Sequence, residues 1–246
     1  MESKYFANRR TVRTYSDRTI SVEEIEEMLQ LASHAPNTGN MQQYSAIITT
    51  DEEIRRRLAP AHFNQPTVMG CQAIVTFCLD FNRFEHWCRL NNATPGFNNF
   101  QAFTWGVIDT TILAQQFVTI AELRGMGTCY LGTTTYNAAA IAEVLELPDR
   151  VVPVVSVTVG WPEGEAAKSL RLPVEAIVHR QKYRDYSDED IRRAYAEIEA
   201  DPTSDKFIAE NGKETLAQVF TDVRYPGSAN EPFSRLYAEF IKKQGF

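Results

Sequence analysis

The stretch FTWGVIDTTILAQQFVTIAELR, residues 103–124, decides how this chain folds. Val107, Ile108, Ile112, Leu113, Phe117, Val118 and Ala121 recur at helical spacing and give a wide apolar face. The stretch is as long as a membrane span. Asp109, Gln115, Gln116 and Glu122 interrupt it, and a spanning helix would bear those groups at substantial cost. It reads instead as a buried central helix, in the core or at a subunit interface, stopped by Gly125.

Working outward, residues 127–132 (Gly-Thr-Cys-Tyr-Leu-Gly) form a strand or turn. Asn137 is placed to cap a helix reaching Leu145. Residues 151–160 are a near-continuous apolar run, as expected of a central strand covered on both faces. Toward the N-terminus, Ser21-Val22-Glu23-Glu24 is a capping box. It opens a helix carrying Ile25, Met28, Leu29 and Ala32, which ends near Pro36. Residues 44–50 and 73–80 read as strands, and Asp51 caps a short helix over 52–58. Beyond Pro162 lies a polar loop with Lys168 and Arg171. Ser187 and Asp190 open a helix to about Ala200, and the rest is polar until a last helix over about 231–243. This order is not a regular βαβ series. The expected class is α+β, a central mixed or antiparallel sheet surrounded by helices. Residues 1–246 form a single domain, with 187–246 a C-terminal helical excursion.

The net charge of −7 excludes general binding to nucleic acid or anionic membranes. Cys71, Cys78, Cys88 and Cys129 form no Cys-x-x-Cys pair, which fits a reducing cytoplasm. His86 and Cys88 lack a second ligand pair, so no metal site is expected. Gly125, Gly127 and Gly132 do not have dinucleotide-binding spacing, and no phosphate-binding loop with Gly-Lys-Ser/Thr occurs. The polar, charged N-terminus is unlike a secretory signal.

Against this acidic background, Arg9-Arg10-Thr11-Val12-Arg13 concentrates permanent cations. One helix later comes the amide-rich loop Ala35-Pro36-Asn37-Thr38-Gly39-Asn40-Met41-Gln42-Gln43. The pair suits a ligand with an anionic tail and a hydrogen-bonding ring, such as flavin mononucleotide (FMN). Each feature also has a plainer reading. The arginines would serve as a solvated basic segment, Asn37 to Asn40 as an ordinary turn, Gln65 as a loop cap, and Tyr130 and Leu131 as core strand residues.

Taken in order, five patches resemble the flavin-dependent nitroreductase family. They are Arg9-Arg10-x-x-Arg13, the loop at 35–42, the segment at 127–132, Val159-Gly160-Trp161-Pro162, and Arg171-Leu172-Pro173 before Val178-His179. They are most similar to the oxygen-insensitive, NADPH-linked branch that includes flavin reductases, as is the C-terminal stretch 240–246. The resemblance implies non-covalent FMN in an obligate homodimer with sites at the interface. It implies a ping-pong cycle in which NADPH or NADH reduces the flavin at N5. An acceptor such as a nitroaromatic, quinone or free flavin then takes two electrons.

The same resemblance assigns roles. Arg9, Arg10 and Arg171 hold the phosphate by forked guanidinium bonds. Lys168 joins them, one residue earlier than the branch's usual lysine, whose place Ser169 takes. Arg13 faces the pyrimidine edge, where reduction places negative charge. Asn40, Gln42 and Gln65 meet the ring's carbonyls and N3–H, with Gln43 the alternative to Gln42 by strand register. Asn37, Thr38 and Gly39 present the loop, and Tyr130, Leu131 and Gly132 pack one side of the ring. Lys213 lies roughly where the branch places a basic residue for the NADPH phosphate. No acid–base dyad is needed, because hydride transfer depends on stacking and close approach. The alternatives are reductive dehalogenation or flavin fragmentation on the same fold, or a non-enzymatic flavin-binding protein.

Overall fold

A computed structural model describes residues 2–246. Its strands are β1 (Tyr44–Thr49), β2 (Ala73–Asp80), β3 (Gly127–Leu131) and β4 (Val151–Gly160). They form one four-stranded sheet in the order β1-β2-β4-β3, with every pairing antiparallel. The central strands β2 and β4 are the two apolar runs of the sequence, and β2 is buried along its whole length. Pro153 sits in β4 where the register against β2 shifts between Phe77 and Cys78. A residue without an N–H is tolerated at such an irregularity.

The helices before the sheet's last strand are α1 (Glu2–Asn8), α2 (Val22–Ala32), α3 (Glu52–Leu58), α4 (Pro66–Gly70), α5 (Asn82–Leu90), α6 (Phe100–Leu123) and α7 (Ala138–Val144). Helix α6 is the stretch expected to be central, begun earlier than expected because the Asn99 side chain caps it at Ala102 N. Leu113, Ala114, Phe117, Val118 and Ala121 pack with Val75, Phe77 and Val157 of the sheet and with Ile25 and Met28 of α2. Gly106 lets α6 lie close to the sheet, since a Cβ there would fall 2.9 Å from Leu79 and Phe81. Gly125 (φ +86°) turns the chain out of the helix.

Ser21 and Asp51 cap α2 and α3 as expected. Asn137 does not cap α7. It holds the N-cap position, but its Nδ2 donates to the Ala61 carbonyl at 2.8 Å.

The chain divides into two compact units, one comprising residues up to Ala167 with Phe233–Phe246, the other Lys168–Pro232. The first contains the sheet. Within it Arg150 gathers the C-terminal end, bonding Glu85 (2.6 Å) and the carbonyls of Phe97 (2.7 Å), Gln244 (3.2 Å) and Gly245 (2.7 Å). The second unit holds α8 (Asp188–Glu199), opened by the expected Ser187–Asp190 capping box. It also holds α9 (Pro202–Glu210), α10 (Leu216–Gln218) and a π-helical stretch over Val219–Arg224. The polar stretch 201–226 carries no predicted element. Asp201 capping a helix with Pro202 in its first turn was the local signal there. The last helix, α11 (Gly227–Lys243), begins before residue 231. Among the described residues no helix is long and apolar enough to cross a membrane.

Candidate functional site

Two glycines lay the floor of the site. Gly127 and Gly160 are partners across β3 and β4. A Cβ on Gly127 would fall 2.5 Å from Val12 Cβ, and one on Gly160 would collide with the Tyr15 ring and the Gln72 amide. Their bareness lets the N-terminal segment lie directly on the strand ends. Val12 N–H donates to the Thr128 carbonyl (3.0 Å), Ser16 N–H to that of Trp161 (2.9 Å) and Glu163 N–H to that of Thr14 (3.1 Å). The Tyr15 hydroxyl bonds Thr158 Oγ1 (2.7 Å) and the Val12 carbonyl (3.0 Å). Arg9, Arg10 and Arg13 are thereby carried on an ordered segment beside β3.

Each arginine has its own environment. Arg9 donates to Glu122 Oε1 at 3.1 Å. That carboxylate, in the last turn of α6 and only 8% exposed in its side chain, also accepts from Tyr5 Oη (2.7 Å) and Thr128 Oγ1 (2.5 Å). A buried charge with this many donors is well compensated. Burial, with the Glu122 hydrogen bond, pushes the Tyr5 phenol up to about 12. Arg10 pairs with Glu165, yet its Nε is buried without a partner. Arg13 reaches the Cys129 thiol, which burial raises and Arg13 draws back.

The amide loop is anchored elsewhere on α6. Thr38 N–H donates to Asp109 Oδ2 (2.9 Å) and Thr38 Oγ1 to Asp109 Oδ1 (3.0 Å), and Asp109 is almost wholly buried. Gly39, Asn40 and Gln42 all take left-handed backbone angles (φ +59°, +55° and +53°), which favour Gly and Asn over other residues. Asn37 Oδ1 accepts from Gln42 N–H at 3.1 Å, and the Gln42 side chain is exposed beside Asn40. Gln43 is fully buried with both amide atoms unpartnered. Asp109 and Glu122 stand 13 residues apart on α6, about 20 Å along its axis. One chain therefore holds its loop near the middle of the helix and its arginines near the helix C-terminus.

At the end of β3, Leu131 is a core residue, and its carbonyl accepts from Thr134. Tyr130 is partly buried, its hydroxyl 3.4 Å from Gln115 Oε1, and burial raises its pKa. Gly132 faces open space. Gln65 occupies the N-cap position of α4 without capping it, and Nε2 donates to Thr133 Oγ1 at 3.4 Å. That same oxygen lies 2.9 Å from His62 Nδ1. His62 was not among the residues expected from sequence.

In the second unit, Arg171 donates to the Ser169 (3.1 Å) and Leu170 (2.9 Å) carbonyls, Lys168 is exposed, and Lys213 pairs with Asp222 at 3.0 Å. That unit also bears a half-open cleft of about 420 Å³ lined by Tyr186, Arg184, Asp190, Arg193 and Glu197. Among the described residues no cluster of three metal-ligating side chains occurs.

A solved structure from Bacteroides fragilis NCTC 9343, assigned to the oxidoreductases, superposes with a TM-score of 0.97 at 45% identity, over 98% of each chain. The chain is 30% identical to a Cr(VI) reductase of Pseudomonas sp. strain G-1, over 100% of its own length and 99% of the relative's. It is 28% identical to an FMN reductase (NADPH) of Bacillus subtilis strain 168, over 97% and 95% of the two. The model of the nitroreductase family matches residues 6–161, and the chain belongs to that family of oxidoreductases.

Proposed function

We propose that this chain is an FMN-dependent NAD(P)H oxidoreductase acting as a homodimer on small electron acceptors in the cytoplasm. The observation that carries the reading is the arginine segment held on the Gly127–Gly160 floor, with the Arg10 Nε buried and unpartnered. A doubly charged phosphate is the ligand such a site fits. The names of the relatives, an FMN reductase using NADPH among them, support the cofactor and the reductant. Bound FMN would supply two-electron hydride chemistry, with NADPH or NADH giving and nitroaromatics, quinones or free flavins receiving.

The residues divide the work of holding it. Arg9 and Arg10 bind phosphate. Arg13 sits at the ring's electron-rich edge. Asn37, Gly39, Asn40, Gln42 or Gln43, and Gln65 supply donors and acceptors for the ring. Thr38 holds the loop in place, because Asp109 already occupies its N–H and hydroxyl. Leu131 contributes through its backbone, beside Tyr130 and the open Gly132.

The separation along α6 supports a dimeric site. Phe100, Ile108, Ile112 and Leu123 are exposed along the outer side of this helix, Ile108 by 50%. A two-fold axis near Gln115 and Gln116 would bring the loop of one copy to the arginines of the other and cover exposed residues of this helix.

The test is to purify the protein, reconstitute it with FMN and mix it anaerobically with NADPH and with NADH. A yellow protein that bleaches rapidly is expected, and Arg10→Ala should weaken FMN binding by roughly 10-fold or more. A colourless protein that takes up no FMN would overturn the reading. A yellow protein that neither nicotinamide bleaches would leave only a flavin carrier.

A further inference from the structure

We propose that His62 is a positioning residue that locks the Gly132–Thr133 turn to the Gln65 segment through the Thr133 hydroxyl, so fixing the hydrogen bonds offered to a flavin ring. The inference rests on the FMN reading above. His62 is fully buried, with Nδ1 2.9 Å from Thr133 Oγ1 and Nε2 unpartnered. The same Oγ1 accepts from Gln65 Nε2 at 3.4 Å. Two further ties join these segments. Asn137 Nδ2 donates to the Ala61 carbonyl (2.8 Å), and the Phe63 and Tyr136 rings meet edge to face at 6.1 Å.

The backbone between His62 and Gln65 is unusual. Phe63 and Asn64 are consecutive left-handed residues (φ +53° and +51°). A bulky residue keeps that conformation only where its surroundings dictate it. Here the His62, Asn137 and Phe63 contacts do so, and they aim Gln65 at the turn.

Thr133 Oγ1 accepts from Gln65 Nε2 and shares a second hydrogen bond with His62 Nδ1, whose direction is set by the imidazole tautomer. Burial enforces neutrality by depressing the His62 pKa to about 4.

The test uses the full chain with His62→Asn, His62→Gln and His62→Leu. An asparagine amide falls near the imidazole Nδ1 position, whereas a glutamine amide falls nearer Nε2. His62→Asn should retain the FMN dissociation constant within about 2-fold and keep the visible flavin spectrum. His62→Gln and His62→Leu should weaken FMN about 10-fold and shift the spectrum, the loss of one hydrogen bond to the turn. Thr133→Val should match His62→Leu, and the double variant should be no worse than either alone. Equal effects of His62→Asn and His62→Leu would overturn the proposal. So would unchanged FMN binding in His62→Leu when Gln65→Ala weakens it. Should the wild-type protein bind no FMN, the functional reading fails by itself. A double-variant cycle on unfolding of the flavin-free protein then decides this proposal, and absence of His62–Thr133 coupling there refutes it.

Discussion

His62 carries its pH dependence in the difference between a buried and a hydrated imidazole. Its pKa falls from 6.5 to about 4 on folding, with burial the cause. Between those values the unfolded chain binds a proton that the native chain does not. Stability from this group is therefore full above pH 6.5 and is lost as the pH falls toward 4, by on the order of 3 kcal/mol. Urea unfolding at pH 7 and pH 4.5 should show a larger loss for the wild-type protein than for His62→Asn. Equal losses would contradict this account. Residues with local partners were legible in the sequence: Ser21 and Glu24 cap each other three positions apart, and Asp51 caps its own helix. His62 was not, because its partner Thr133 lies 71 residues away, and a lone histidine in Ala59-Pro60-Ala61-His62 gives no sign of it. The arginines were legible as charges, but the carboxylates that orient them, Glu122 and Glu165, were not. Both meet their arginines across more than a hundred residues.

Among the elements, the buried strands and α6 followed from apolar periodicity, because each buries side chains at the spacing its own geometry dictates. Short helices such as α4 and α5 escaped, since so few turns carry little periodic signal and packing decides them. Asn137 marks where local and tertiary demands diverged, its amide going to Ala61 instead of to its own helix. The edge of β3 yields a direct test. Gly127→Ala would set a methyl group against Val12 and lift the arginine segment from the strand. Overpacking of this kind costs about 1–3 kcal/mol. The variant should show a lowered melting temperature and weakened FMN retention, measured by flavin fluorescence release. Melting and retention both like wild type would mean that the segment tolerates displacement.

For the whole molecule, the chain's family and α+β class were readable from scattered motifs in order, while the division of the chain into a sheet-bearing unit and the Lys168–Pro232 unit was not. Polar stretches such as 201–226 give few apolar positions from which to read their helices. The spacing of Asp109 and Glu122 along α6 has a consequence for damaged copies of the enzyme. If each site takes its arginines from one chain and its loop from the other, two defective proteins can complement each other. Arg10→Ala removes a phosphate ligand, and Asp109→Ala releases the Thr38 loop. A chain of each kind, paired, leaves one site with both halves intact. Random pairing of the two, refolded together in equal amounts, should recover about a quarter of the wild-type FMN sites. FMN content no greater than the mean of the separate variants would place each complete site within a single chain.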